Sequence, residues 1–199
     1  MPRHLADAVL YAVNTGCREQ EVCQLRWDWE VKIPDMGTSV FVLSESITKT
    51  STERVVVLNS VAQRIIEGRR GINETYVFTY RDRAVGKMNN TAWKRAWRKA
   101  GLPVKKDIRR GVHNLRHTFA RRLRSAGVPE ETRATLMGHA NGSITTHYSA
   151  AELAELKNAV EKIVDRGIAQ TPTLTLISRQ VKAVGNVSEI KKGAAGEIC

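Results

Sequence analysis

The chain has 199 residues, 42% of them hydrophobic and 26% charged, with 32 Lys and Arg against 20 Asp and Glu and a formal net charge of +12. That is the balance of a soluble globular domain and excludes an intrinsically disordered chain. No apolar run reaches the roughly 18–20 residues of a membrane span, the start does not read as a signal peptide, and three cysteines (Cys17, Cys23, Cys199) are too few and too odd in number for a disulfide framework, which points to a reducing, intracellular setting.

In chain order, residues 2–14 carry Leu5, Ala8, Val9, Ala12 and Val13 at helical spacing, and Thr15-Gly16 breaks that helix. A second short helix spans 18–25. Residues 39–48 and 53–58 alternate as strands joined through Lys49-Thr50-Ser51-Thr52, a hairpin with a polar turn. Asn59 or Ser60 caps a helix over 61–67, and 75–79 reads as one more short strand. From Asn89 the pattern is helical. The segment 91–100 stops at Gly101 with Pro103 beyond. A basic helix spans 113–125, Pro129 opens a helix over 130–137 that Gly138 stops, and 143–148 and 151–165 continue the pattern. From about Ala169 the periodicity fades, with one β-like piece at 173–177. The expected fold is α+β and mainly α, a small antiparallel β-element on the N-terminal side followed by a helical C-terminal part. The expected organisation is a catalytic domain over 1–168 and a tail over 169–199.

The charge is not spread evenly. Residues 81–124 hold fifteen Lys and Arg against Asp82 and Asp107, so this stretch carries the whole excess. Such a concentration reads as a face for a polyanion, nucleic acid first. Trp93 and Trp97, four apart on a basic helix, fit the buried stripe of an amphipathic helix better than base-stacking rings. Their neighbours Lys94, Arg95, Arg98 and Lys99 then face phosphate, as do Arg121, Arg122 and Arg124 on the next helix; such contacts position a duplex and do not read its sequence.

Breaking a phosphodiester needs a nucleophile, cations around the non-bridging oxygens and an acid for the leaving oxygen. His113 and Arg116 stand one helical turn apart. His139 follows a helix-stopping glycine, and Tyr148 comes nine residues later. Arg18 stands at a helix start after Gly16, and Lys49 sits in the hairpin turn. Singly, each has an ordinary reading: Tyr148 a buried ring with a polar tip, Arg18 an ion-pair partner of Glu21, Lys49 an exposed turn lysine, His139 a helix cap. His117 and His147 read as structural or DNA-adjacent, and Cys17 and Cys23 as small packing residues without a ligand-spaced partner for a metal.

Together the segments TGCREQEVCQLRW at 15–27, TKT at 48–50, HNLRHTFA at 113–120, LMGH at 136–139 and ITTHY at 144–148 resemble the catalytic domain of the tyrosine recombinases, the phage integrase family. The resemblance covers about residues 1–165, in the family's order. It implies that Tyr148 is the nucleophile, that Arg18 and Arg116 hold the scissile phosphate, and that Lys49 protonates the leaving 5′ oxygen. His113 would assist as general base, His139 would hydrogen-bond the phosphate, and Glu21 would be the acidic neighbour of the first arginine. The physical chemistry agrees, since a phenol is a poor nucleophile until a base and nearby cations favour its anion.

The implied activity is site-specific recombination or integration through a 3′-phosphotyrosyl link, without metal, nucleotide or other cofactor. The sequence offers no carboxylate cluster for two-metal catalysis. Double-stranded DNA is the implied partner. The protein would be a monomer when isolated and a tetramer on DNA, with accessory DNA-bending proteins, in the cytoplasm of a bacterial or phage-infected cell, near the nucleoid. Most family members carry an N-terminal core-binding domain, which this sequence is expected to lack, and the tail would be exchanged between protomers. The competing readings are a 3′-linking tyrosine topoisomerase, a metal-free nuclease built on His113, His139 and Lys49, and a non-catalytic DNA-binding remnant.

Overall fold

A computed structural model of the chain describes residues 1–48, 53–102, 111–138 and 149–164. Seven α-helices are described: α1 (Arg3–Thr15), α2 (Glu19–Cys23), α3 (Ser60–Glu67), α4 (Thr91–Lys99), α5 (His113–Ser125), α6 (Glu130–Met137) and α7 (Ala150–Glu161). Five strands accompany them: β1 (Glu30–Ile33), β2 (Thr38–Leu43), β3 (Arg54–Val57), β4 (Thr79–Tyr80) and β5 (Arg83–Ala84). The fold is the expected α+β arrangement, mainly α, with its small sheets between α2 and α4.

The expected hairpin is part of a three-stranded antiparallel sheet in the order β1-β2-β3, with Val40 opposite Val57 and Phe41 opposite Val56. Strand β1 escapes sequence pattern because Glu-Val-Lys-Ile is short and half polar, and its two middle residues face solvent. Strand β2 ends at Leu43, five residues before the expected end. Beyond it, Ser44 accepts backbone bonds from Ile47 and Thr48 at 3.1 and 3.3 Å, which folds the chain into a turn. The expected strand over 75–79 contributes its last residue to β4, whose partner β5 follows a two-residue turn at Arg81 and Asp82. Both have positive φ, 52° and 59°, the backbone that a tight hairpin demands. The helix expected over 143–148 and the tail piece at 173–177 lie outside the described residues.

Period-two alternation splits the sheet between two cores. Phe41, Leu43 and Val56 join a cluster with α1, α2, α3 and α4 that includes Leu5, Tyr11, Phe78, Trp93 and Trp97. Val40 and Val57 face the other way, toward Phe119 and Leu123 of α5, Leu136 of α6 and Val160 of α7. Trp93 and Trp97 are therefore core residues, their rings tilted 5.9 Å apart. Lys94, Arg95, Arg98 and Lys99 are exposed on the remaining surface of α4.

Local signals fix where helices start. The Asn59 side chain accepts from Ala62 N–H at 2.9 Å, and Asn90 accepts from Trp93 N–H at 3.1 Å. Ser149 and Glu152 form a reciprocal capping box that starts α7 two residues after Tyr148 in sequence. Long-range polar contacts then set the elements against one another. The Glu19 carboxylate accepts from Met88 and Asn89 N–H, both at 2.7 Å, which pins the approach to α4 beside the start of α2. Lys157 donates to Leu58 O at 2.8 Å and Glu161 accepts from Ser60 N–H at 2.9 Å, holding α7 to the segment between β3 and α3.

Candidate active site

Helix α1 ends at Gly16, whose φ of 66° is left-handed. A Cβ at Gly16 would stand 2.4 Å from Phe119 Cδ1, so the turn needs glycine for its backbone and for the approach of α5. Two residues later Arg18 opens α2. Glu21, three residues on, accepts from Arg18 N–H at 2.7 Å and from Arg18 Nη1 at 2.8 Å. This carboxylate is fully buried, while the Arg18 side chain keeps 21% exposure. The expected Arg18–Glu21 pair is present, then, and Arg18 keeps an open side.

Two further arginines enter from other elements. Arg54, the first residue of β3, donates to Glu21 Oε2 at 2.5 Å, to Leu136 O at 2.9 Å and to Thr15 O at 3.3 Å. Arg116 of α5 donates to Gly16 O at 2.6 Å and to Met137 O. The acceptors are consecutive: Thr15 and Gly16 at the end of α1, Leu136 and Met137 at the end of α6. Helix ends leave carbonyls without partners and carry partial negative charge, so the two guanidiniums satisfy orphan acceptors and are stabilised by both dipoles. They also staple α1 to α6. Gly138, at φ 60°, completes the arrangement, because a Cβ there would lie 2.6 Å from Arg54 Cδ.

Among the described residues the balance of charge is one-sided: Arg18, Arg54 and Arg116 surround the single carboxylate of Glu21. Burial pushes the Glu21 carboxyl up, but the charge of Arg54 and the hydrogen bonds from Arg18 outweigh it and hold the group below its ordinary value. Arg116 moves the other way. Burial first, then the charges of Arg54 and Arg18, bring it down to about 10. It remains a cation at neutral pH, with less compensating negative charge than a surface arginine finds. An anion brought to it relieves that deficit. Burial also pushes the Cys23 thiol up to about 12, in keeping with a packing role for it and for buried Cys17.

Of the residues singled out in the sequence, Arg18, Glu21 and Arg116 are brought together. His113 is exposed at the start of α5, one turn before Arg116, its ring edge-on to His117 at 4.6 Å. Lys49, His139 and Tyr148 lie outside the described residues. Arg121 is exposed and Arg122 half-buried on α5. Among the described residues, no three His, Cys, Asp or Glu side chains gather to hold a metal ion, and no helix is long and apolar enough to cross a membrane. Sequence reasoning missed Arg54. The signal was available in its position: it shares the inward side of a strand with Val56, and an arginine at such a position needs buried acceptors.

The phage integrase family model matches residues 2–155. The chain belongs to the phage integrase family. Among curated relatives, the integrase of Salmonella phage P22 is 32% identical over 138 residues, covering 63% of this chain and 33% of that protein. A XerC-like tyrosine recombinase of Caldanaerobacter subterraneus subsp. tengcongensis is 29% identical over 198 residues, covering 78% of this chain and 48% of that protein. The chain thus spans a third to a half of the length of these two family members. Among solved structures, the integrase from mycobacterium phage Brujita superposes with a TM-score of 0.63 at 19% identity, over 87% of this chain and 56% of that one. The XerH site-specific recombinase bound to its difH substrate gives 0.52 at 19% identity, over 71% and 42%. The integrase fold is shared with both.

Proposed function

We propose that this chain carries the strand-cleaving and rejoining centre of a site-specific DNA recombinase, of the kind a phage or mobile element uses for integration and excision. The observation that carries the reading is the buried cluster of three arginines around Glu21, which has more positive charge than its own carboxylate balances. A phosphodiester is the anion it suits. Arg18 keeps an exposed side for a non-bridging oxygen, and Arg116 is held on the two helix ends. The integrase and recombinase names of the relatives point the same way.

In this mechanism His113 accepts the phenol proton and the Tyr148 oxygen attacks phosphorus. A bond from phosphorus to the tyrosine oxygen forms, the bond from phosphorus to the 5′ oxygen breaks, and Lys49 gives that oxygen a proton. His139 donates a hydrogen bond to the phosphate. The products are a 3′-phosphotyrosyl link and a 5′ hydroxyl. Attack by a 5′ hydroxyl of another strand reverses the step, so no nucleotide energy source is consumed. The arginines act most strongly on the charge that builds in the transition state.

Duplex DNA would be positioned by Lys94, Arg95, Arg98 and Lys99 on α4, which Glu19 anchors next to Arg18, and by Arg121 and Arg122 on α5. Recombination joins two duplexes, which calls for four protomers on DNA, while the isolated chain would be a monomer that binds in a salt-dependent way. Such a protein acts wherever the cell's DNA lies, in the cytoplasm at the nucleoid.

The test is covalent capture. The chain is mixed with a library of nicked duplexes of random sequence, in which a cut near the nick loses its short end and cannot reseal. A protein–DNA adduct on a denaturing gel that disappears in Tyr148→Phe is expected. Release of free ends without an adduct would replace this reading with a nuclease. Relaxation of supercoiled DNA without site preference would replace it with a topoisomerase.

A further inference from the structure

Arg54 was not among the residues the sequence offered for chemistry, yet its side chain, 3% exposed, touches three of the elements that build the site. It reaches Glu21 on α2, Thr15 O at the end of α1 and Leu136 O at the end of α6. Its stem occupies the space that Gly138 leaves open, at the point where the chain leaves α6 toward His139. Its Nε meets no hydrogen-bond acceptor among the described residues. The guanidinium is therefore held by its two terminal nitrogens, one on the carboxylate and one on the pair of carbonyls.

Arg54 and Arg116 form two rungs between the same helix ends, one on Thr15 and Leu136, the next on Gly16 and Met137. Arg54 also supplies the only guanidinium besides that of Arg18 that is ion-paired with Glu21 among the described residues. Removing it would leave Glu21 to Arg18, and Arg116 as the sole side-chain link of the staple, among the described residues. We propose that Arg54 is a positioning residue: through Glu21 it fixes the orientation of Arg18, and through the shared ends of α1 and α6 it fixes Arg116. A lysine cannot replace it. A guanidinium presents two separated nitrogens in a rigid plane, whereas an ammonium is a single point that can satisfy the carboxylate or the carbonyls.

This inference rests on the recombinase reading only for its effect on rate. It is tested in the full chain with Arg54→Lys, which keeps the charge beside Glu21. The side-chain N–H signals of Arg18 and Arg116, followed by NMR with 15N-labelled arginine, are expected to lose roughly tenfold of their exchange protection, with the backbone amides of α3 and α4 unmoved. Capture of nicked duplex at saturating DNA should slow roughly 10–100-fold, as for a misplaced catalytic constellation. The apparent Kd should shift less than about twofold, because phosphate contacts spread along the duplex supply most of the affinity. Unchanged arginine signals overturn the proposal, and so does an unchanged capture rate in a protein whose wild type forms the adduct. If the wild type forms no adduct while R54K still frees Arg18 and Arg116, the recombinase reading fails and the positioning role stands. Where R54K does not fold, the double variant Arg54→Met with Glu21→Gln removes the buried pair together. Loss of Arg116 protection is expected there too, and a protected Arg116 refutes the proposal.

Discussion

Arg70 and Arg116 are both set among close partners, but in opposite surroundings. Arg70 lies at the surface beyond α3, its side chain 36% exposed, between Glu30 and Glu67 at 2.7 Å each. The hydrogen bonds it donates to those two carboxylates raise its affinity for its proton. Arg116 is buried, and its hydrogen bonds among the described residues go to two backbone carbonyls. Burial and two neighbouring arginines lower its affinity for its proton. The Arg70 cluster is complete in itself, because its carboxylates outnumber its cation. The Arg116 cluster is short of negative charge, and the fold tolerates that only because two helix ends are turned toward it. A pairing that is complete at the surface contributes modestly to stability, whereas removing a partner from a buried one costs several-fold more.

Removing the negative centre should break this contrast most sharply. Glu21→Ala leaves three guanidiniums without a carboxylate and should cost roughly 3–5 kcal/mol of folding stability, measured by urea unfolding. A loss below about 1 kcal/mol would mean that the cluster is solvated and not buried. The pH dependence follows from the same group. The Glu21 carboxyl sits below its ordinary value of 4.5 in the folded chain. Its pairing therefore stabilises fully above the unfolded-state value and is lost as pH falls through the folded one. Stability of the wild type should drop more steeply on acidification than that of Glu21→Gln, and parallel curves would contradict the assignment.

The staple can be strained from its α1 side. Gly16→Ala places a methyl against Phe119 at a left-handed backbone position and should cost about 1–3 kcal/mol by the same unfolding measurement. A neutral result would show that the end of α1 is free to move. The smallest effect belongs to the surface cluster. Arg70→Met should change stability by less than about 1 kcal/mol, and the change should shrink further in high salt. A larger or salt-insensitive loss would erase the distinction between the two arginines.

The sequence made the helices legible because their punctuation is local: Gly16, Asn59, Pro129 and Gly138 mark ends that a reader can see. Strand β1 and the β4–β5 hairpin were not legible. The first is four residues long, half polar, with its middle residues Val31 and Lys32 facing solvent, and the second turns at Arg81-Asp82 without the glycine that usually advertises such a turn. For the site, Arg18 and Glu21 are three residues apart, so their pairing follows from helical geometry. Arg116 lies on the same helix as His113, but its partners are carbonyls 100 and 21 residues away. Arg54 is 33 residues from Glu21 and 82 from Leu136. No spacing rule reaches that far, and only its inward position on β3 hinted that a buried acceptor had to exist.

The central claim is that the charge deficit around Arg116 is where a scissile phosphate is held. It is tested most directly by single-turnover capture of nicked duplex with Arg116→Met beside Arg70→Met, each checked for folding. A loss of roughly 10²–10³-fold is expected for R116M, the scale of removing one preorganised donor to a developing charge, and a rate within about twofold of wild type for R70M. Equal rates for the two variants in folded proteins would contradict it.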